Sequence, residues 1–320
     1  MKRCHASCIA AHAIHSRLKV TGQKASPNLT RHMPKTLRVV LITSLAMTAF
    51  AANSVLGRLA LIEGEIGAGS FALIRLISGA VVLGLLVFAQ SSRPTGSWLG
   101  GLALLIYAAF FSYAYLALPA GTGAVILFAV VQMTMLGWGI AKGERPWLLQ
   151  WIGLILSLSA LVWLVSPGIA APSILGAAAM AIAGIGWGAY SLLGKAAGDP
   201  TTATAGNFIR ASMMAAILAV PVLMLHPEPS PSANGAILAI ISGAITSGLG
   251  YAIWYTALKD LTATRAGIAQ LTVPAIAAIG GVLFLHEPIT LRFALASTAI
   301  LSGVALAVLT PAPASRKANP

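Results

Sequence analysis

Residues 52–60 read ANSVLGRLA, and residues 189–197 read AYSLLGKAA. Set side by side, the alanine at each end, the serine, one leucine and the glycine coincide, and Arg58 stands opposite Lys195. Each copy closes an apolar run with small residues, a hydroxyl and a cation. The likeness continues in order along the chain. FALIRLISGAVVL (71–83) follows the first copy and carries Arg75, and NFIRASMMAAIL (207–218) follows the second and carries Arg210. Each half then has an acid just beyond an apolar run, Glu144 in KGERP and Glu287 in LHEP. Composition alone can make two short Ala- and Leu-rich stretches similar. Three landmarks recurring in one order argue instead for an internal duplication, the pattern of many transporters.

Composition sets the class. Charged residues make up 8% and hydrophobic residues 58% of the chain, against about 25% charged in a soluble domain. A water-facing surface cannot be built from that supply, so most of the outer face must meet the lipid bilayer. The net charge of +13 does not point to nucleic acid, because most cations lie in tails and short loops between apolar runs. Cys4 and Cys8, with His5, His12 and His15, lack the paired spacing of a zinc site, and no metal or other cofactor is expected. Residues 1–37 form a basic segment without an acid, expected to be a disordered tail, with Met33 as a plausible natural start. Its apolar piece 8–14 is too short and broken for a signal-peptide core.

A helix crossing the hydrocarbon core needs about 20 mainly apolar residues. Ten runs of that kind follow: Val39–Leu61, Ser70–Gln90, Trp98–Ala117, Gly121–Ala141, Trp147–Ser166, Ser173–Leu193, Thr204–Leu225, Asn234–Ala257, Thr264–Leu285 and Thr290–Thr310. The alternating strands of a barrel are absent. Connections such as Leu118-Pro119-Ala120 are short, so successive helices run antiparallel. The expected fold is an all-α membrane protein of ten transmembrane helices. Its domains are a first five-helix repeat over 38–166, a second over 173–310, and a cytoplasmic tail over 311–320. Lys35, Arg38, Arg93, Lys142, Arg145, Lys195, Lys259, Arg265, Arg316 and Lys317 fall on the side of the N-terminus, and only Arg58, Arg75 and Arg292 on the other. That bias puts both termini in the cytoplasm. Because five is odd, the second repeat enters from the opposite face, and the duplication is inverted. Pro221 and Pro274 lie within helices and are expected to bend them. Trp98, Trp147 and Trp151 sit at helix ends, where interfacial anchoring suits an indole.

The chemistry available is narrow. The seven acids Glu63, Glu65, Glu144, Asp199, Glu228, Asp260 and Glu287 all fall in loops or at helix ends. No Ser-His-Asp set, His-Glu metal spacing or phosphate-cradling glycine loop can be assembled, so no enzyme is expected. A carboxylate or histidine at mid-depth, the usual carrier of proton coupling, is also missing, which favours facilitated export or exchange. Within the helices, Asn53, Gln132 and Gln270 suit either interhelical hydrogen bonds or a solute. Tyr113, Trp187, Tyr190 and Trp254 are the candidate aromatic walls. Arg75 and Arg210 lie a turn or two from helix starts; they either snorkel to the interface or pair with a gate or a substrate carboxylate.

The ANSVLGR and AYSLLGK segments, FALIRLISGAVVL, and GERPWLLQWIGLILSLSALVWL with its relative HEPITLRFALASTAILSGVALAVL together resemble the EamA-type transporters of the drug/metabolite transporter superfamily. The resemblance covers about residues 38–310. It implies a multi-pass carrier of the cell inner membrane, an exporter of a small organic solute (an amino acid, metabolite or drug-like molecule). It further implies alternating access around a central cavity, with helices 1, 3, 4, 6, 8 and 9 innermost. Two departures stand out. The proline such proteins carry in the helix before the acid is present as Pro274, but Val131 or Gln132 stands there in the first half. The small four-helix multidrug members use a membrane Glu in their first helix, and this first helix has none. A non-transporting assembly or scaffold subunit is the alternative reading.

Overall fold

The computed structural model describes residues 34–309 except 144–145, 169–170, 196–197, 226, 262–265 and 267–268. The basic segment through Met33, the acid Glu144, the Lys195 side chain and the tail 311–320 lie outside the described residues. From Val39 onward the chain packs as one unit.

The described residues form ten principal helices and no strand. They are α1 (Lys35–Ile62), α2 (Ala68–Ala89), α3 (Trp98–Tyr115), α4 (Ala120–Ala141), α5 (Leu148–Val165), α6 (Ile174–Lys195), α7 (Pro200–Leu225), α8 (Ala233–Leu258), α9 (Thr272–Leu285) and α10 (Leu291–Leu309). Eight are long and apolar enough to cross a membrane on their own. The ninth is shorter than expected. A turn at Leu271 precedes it, and Pro274 sits in its first turn. A proline there costs no hydrogen bond, since the first amides of a helix have no partner in any case. Helical residues 269–270 stand just before the turn at Leu271, so the proline follows a break within the run, where a bend is expected. Pro221, by contrast, is carried inside α7 as expected.

Helix starts are written into the loops. Ser97 Oγ accepts from Gly100 N at 3.0 Å, Ser232 Oγ from Gly235 N at 2.9 Å and Asp199 from Thr202 N at 3.0 Å. Each satisfies an amide that the first helical turn leaves unpaired. One cap comes from elsewhere in the chain. Glu228, in the α7–α8 loop, accepts from the amides of Gly69 (2.8 Å) and Ser70 (2.9 Å) and from Ser70 Oγ (2.9 Å) at the start of α2.

Loop contacts sort the helix ends into two faces. One gathers the ends of α1, α3, α5, α7 and α9. Arg58 there donates to the carbonyls of Tyr115 and Leu116, and Arg292 to that of Ser166. The opposite face joins the starts of α3 and α7 through Thr95 N–H to the Thr202 carbonyl (3.0 Å). It also joins the start of α5 to the end of α10 through Gln150 and the Ala307 carbonyl. The first is called the Arg58 face below, the second the Thr95 face. Helix α1 ends on the Arg58 face, whereas α6 begins there. The two five-helix sets are thus threaded in opposite senses.

Small residues set the seams between the sets. Gly153 of α5 and Gly303 of α10 oppose each other so closely that a Cβ on Gly303 would come 2.6 Å from the Gly153 carbonyl. Beside them Ser157 Oγ donates to the Ile300 carbonyl (3.0 Å). Such close backbone approach supplies the dispersion contact that replaces a hydrophobic drive within lipid. Between α2 and α8, Gly79 and Gly243 serve the same purpose.

Helix α8 is not a uniform α-helix. Two α-helical stretches, Ala233–Ile240 and Gly250–Leu258, flank a π-helical stretch over Ile241–Leu249. Such widened turns are uncommon and frequently mark functional positions.

Candidate functional site

The π stretch brings Ser242, Thr246 and Ser247 to one side of α8, and all three hydroxyls donate to Asn53 Oδ1 of α1, at 2.8, 2.6 and 3.3 Å. In a π-helix, residues four and five apart share a face, so a three-hydroxyl patch needs this local winding. Asn53 is 2% exposed, and Ser242 and Ser247 are fully covered. A polar cluster in a membrane interior holds only if its members satisfy one another. This one spans both halves of the chain.

Arg75 of α2 extends the cluster. Its Nε donates to Ser247 Oγ at 3.1 Å and its Nη2 to Tyr107 Oη at 2.9 Å. Ser247 therefore receives from Arg75 and passes its own proton to Asn53. The guanidinium carbon lies 4.6 Å from the Phe111 ring centre and 5.0 Å from that of Tyr107. The residue is 1% exposed, so the snorkelling alternative does not occur: the side chain turns into the protein. Placing arginine at such depth costs about 2.5–3.5 kcal/mol on insertion scales. Two hydrogen bonds of a charged donor, at about 1.5–3 kcal/mol each, and ring contacts of about 2 kcal/mol offset that. The offset is incomplete at one atom. Arg75 Nη1 is buried and has no hydrogen-bond partner among the described residues. Nor is Arg75 ion-paired with any described carboxylate.

Next to this cluster is a slot lined by Phe50 and Asn53 of α1, Tyr107 and Phe111 of α3, Leu127 and Phe128 of α4, Trp187 of α6 and Tyr251 of α8. Aromatic edges meet across it. The Phe50 ring lies 6.2 Å from Trp187 and 5.6 Å from Tyr251, and Trp187 stacks on Tyr190 at 5.4 Å. The free volume is only about 10 Å³, at the lower limit for one water. The slot is shut. Clefts lie towards each face: about 380 Å³ beside Arg58, Glu287 and Phe293, and about 190 Å³ beside Gln132, Gln150 and Ala307.

The residues singled out from the sequence fall into three groups. Asn53, Trp187 and Arg75 belong to the slot or its polar wall, and Trp254 packs behind it against Phe50 at 5.9 Å. Tyr190 backs Trp187 and donates to Thr204 Oγ1 at 3.3 Å. Gln132 and Gln270 meet each other at 3.3 Å, bridging α4 to the segment just before α9 on the Thr95 side. Two stand apart. Tyr113 is 43% exposed on the outer side of α3. Arg210 binds the carbonyls of Thr95 (2.6 Å) and Gly206 (2.9 Å) and leans on Trp98, fastening a loop. Phe50, Phe111, Tyr251 and the hydroxyls of α8 are site residues that sequence reasoning misses. Part of that set carries a signal in the sequence itself: Tyr107, Phe111 and Tyr115 recur every four residues and so mark one face of α3.

The EamA-like transporter family matches residues 174–309. An uncharacterized protein of Pseudomonas aeruginosa is 46% identical over 277 residues, covering 86% of this chain and 95% of that protein. An uncharacterized transporter of Archaeoglobus fulgidus is 24% identical over 217 residues, 66% of this chain and 75% of its own. The uncharacterized transporter YoaV of Bacillus subtilis is 24% identical over 258 residues, 75% and 87% of the two chains. A solved crystal structure superposes with a TM-score of 0.57 at 18% identity, over 83% of this chain and 98% of that one, and so shares the fold. The chain belongs to the EamA-like transporters of the drug/metabolite transporter superfamily, and is a multi-pass membrane transporter.

Proposed function

We propose that the protein is a carrier of the cell inner membrane, with both termini in the cytoplasm, that exports a small organic solute by alternating access. In this reading the Arg58 face is outward and the Thr95 face is cytoplasmic, as the loop cations require. The repeats over 38–166 and 173–310 rock about the slot and open it to each side in turn. One observation carries the reading: the slot is walled by helices of both halves, α1, α3 and α4 against α6 and α8, and is shut at its centre while clefts lie towards both faces. Relative motion of the halves is then what would admit a solute. No described carboxylate lies within a helix, which favours facilitated export or exchange over a carboxylate-borne proton cycle.

The test is cysteine labelling in a background with Cys4 and Cys8 replaced by serine. Leu127→Cys in the slot is expected to react with a membrane-impermeant thiol reagent from either side of sealed vesicles. Glu63→Cys and Ser92→Cys, in exposed loops on opposite faces, are expected to react from one side each. A slot cysteine that stays unlabelled from both sides, while the loop cysteines react, rejects the carrier and favours an assembly subunit.

A further inference from the structure

Resting on the carrier reading, we propose that the solute is a monocarboxylate with an aromatic or apolar body, its carboxylate received by Arg75. Three features lead there. The first is the guanidinium itself. Ser247 and Tyr107 occupy Nε and one hydrogen of Nη2, and Nη1 is buried without a partner among the described residues. Guanidinium nitrogens presented side by side match the two oxygens of a carboxylate. The second is charge. Every described acid lies between helices: Glu63, Glu65, Asp199, Glu228, Asp260 and Glu287. The described residues thus supply no counter-charge at this depth, and an anion of net charge −1 would provide it. The third is the lining. Phe50, Trp187 and Tyr251 line the slot with aromatic rings, and Leu127 and Phe128 add apolar surface, a lining suited to an apolar body.

The same wall disfavours other anions and zwitterions. An amino acid's ammonium would need several acceptors, yet Asn53 Oδ1 already takes three hydroxyls and Tyr107 Oη already accepts from Arg75, which leaves the Tyr251 hydroxyl among the acceptors lining the slot. The faces of Phe111 and Tyr107 are taken by the guanidinium. A dianion would call for a second cation. Of the other described helical arginines, Arg38 is exposed at the start of α1, Arg58 is committed to Glu287, and Arg210 and Arg292 are committed to backbone carbonyls.

The experiment uses the detergent-purified full chain at neutral pH and reads tryptophan fluorescence and thermal midpoint. Phenylacetate, indole-3-acetate and 4-methylpentanoate are each compared with their neutral amides, and phenylacetate also with phenylalanine. At least one acid is expected to half-saturate at about a tenfold lower concentration than its amide, as a charge-assisted hydrogen bond implies. Phenylalanine is expected to bind no better than phenylacetamide. Glu228→Gln, in a loop away from the slot, should retain the acid preference, Arg75→Lys should weaken it, and Arg75→Gln should remove it. If Arg75→Gln does not fold, the wild-type acid–amide comparison still decides. Acids and amides binding alike in every pair, or phenylalanine outbinding phenylacetate, overturns the proposal. Slot labelling from both faces together with that result would leave the carrier standing and only the carboxylate wrong.

Discussion

Arg58 Nε stands 3.3 Å from Glu287 Oε1 and ties the end of α1 to the turn after α9. The tie is broader than one pair. Arg58 Nη1 also donates to the carbonyls of Tyr115 (2.9 Å) and Leu116 (3.0 Å), and Glu287 Oε2 accepts from Ala120 N (2.8 Å) at the start of α4. The positions of α1, α3, α4 and the α9–α10 turn are thereby held by two side chains that are 12% and 13% exposed. Glu287 is aimed by its neighbour, since His286 takes a left-handed φ of 54° as it ends α9.

Glu287→Gln can still accept from Ala120 N but loses the charge facing Arg58. At this degree of burial the loss should cost about 1 kcal/mol or somewhat more, on the low side for a hydrogen bond to a charged group. Opening of the Arg58 face should therefore rise. Thr122→Cys, buried beside this cleft, is expected to label about fivefold faster in the Glu287→Gln background, the factor that 1 kcal/mol implies. Equal rates in the two backgrounds would show that the pair does not hold this face closed.

The cap that Glu228 places on α2 makes a separate, purely structural prediction. Its carboxylate meets the amides of Gly69 and Ser70 at the positive end of the helix dipole. Glu228→Ala should lower stability by about 1–2 kcal/mol, the scale of a lost cap, and Glu228→Gln by roughly half as much. Thermal unfolding followed by size-exclusion recovery reads this directly. Slot binding should be untouched, because Glu228 lies in a loop and lines none of the slot.

The helix plan is legible in the sequence because a bilayer imposes a length on every apolar run. Starts such as Ser97 and Ser232 sit where a cap is needed. The site is legible only in part. Asn53 and Trp187 stand out as a polar and an aromatic group in the repeated helix, and both reach the slot. Arg75 is visible as a cation, but its depth is not. Whether it snorkels depends on Tyr107 and Ser247, which lie on other helices. The π stretch is hidden for a similar reason. Its Gly243 packs closely against α2, a contact between segments far apart in sequence, and no local pattern in the residues marks the widened winding. Tyr113 differs from both, since its outward position is legible. The four-residue spacing of Tyr107, Phe111 and Tyr115 selects the inner face of α3, and Tyr113 lies off that row.

Asn53→Asp tests the charge logic of the slot from within. The aspartate would accept from the same three hydroxyls of α8 and stand one serine away from Arg75. A carboxylate so near a buried guanidinium removes the need for an external counter-charge. The variant is expected to fold at least as stably as wild type and to lose the preference for acids over amides. Asn53→Ala should instead keep that preference. Its stability cost should be about 1–3 kcal/mol: Thr246 can still donate to the Ser242 carbonyl of its own helix (2.9 Å), but the buried Ser242 hydroxyl loses its acceptor. Retained acid preference in Asn53→Asp would argue that Arg75 is not the anion's partner.

Gln132 and Gln270 bridge the halves on the opposite side of the slot, Nε2 to Oε1 at 3.3 Å. Both are half-buried, and polar pairs between membrane helices couple by only about 0.6 kcal/mol on average. A double-mutant cycle with alanine at each position should return a coupling of that size. Any larger change in function therefore cannot come from stability. If the halves rock, this bridge and the Arg58–Glu287 pair restrain opposite faces. Gln132→Ala should then speed labelling of Leu127→Cys from the Thr95 face by about threefold, which is what 0.6 kcal/mol allows. Glu287→Gln should speed it from the Arg58 face. Because the two faces share one equilibrium, combining the substitutions should return the ratio of labelling from the two sides towards the wild-type value. Two substitutions that both raise labelling from the same side would mean that the slot opens by local loosening, without the halves moving against each other.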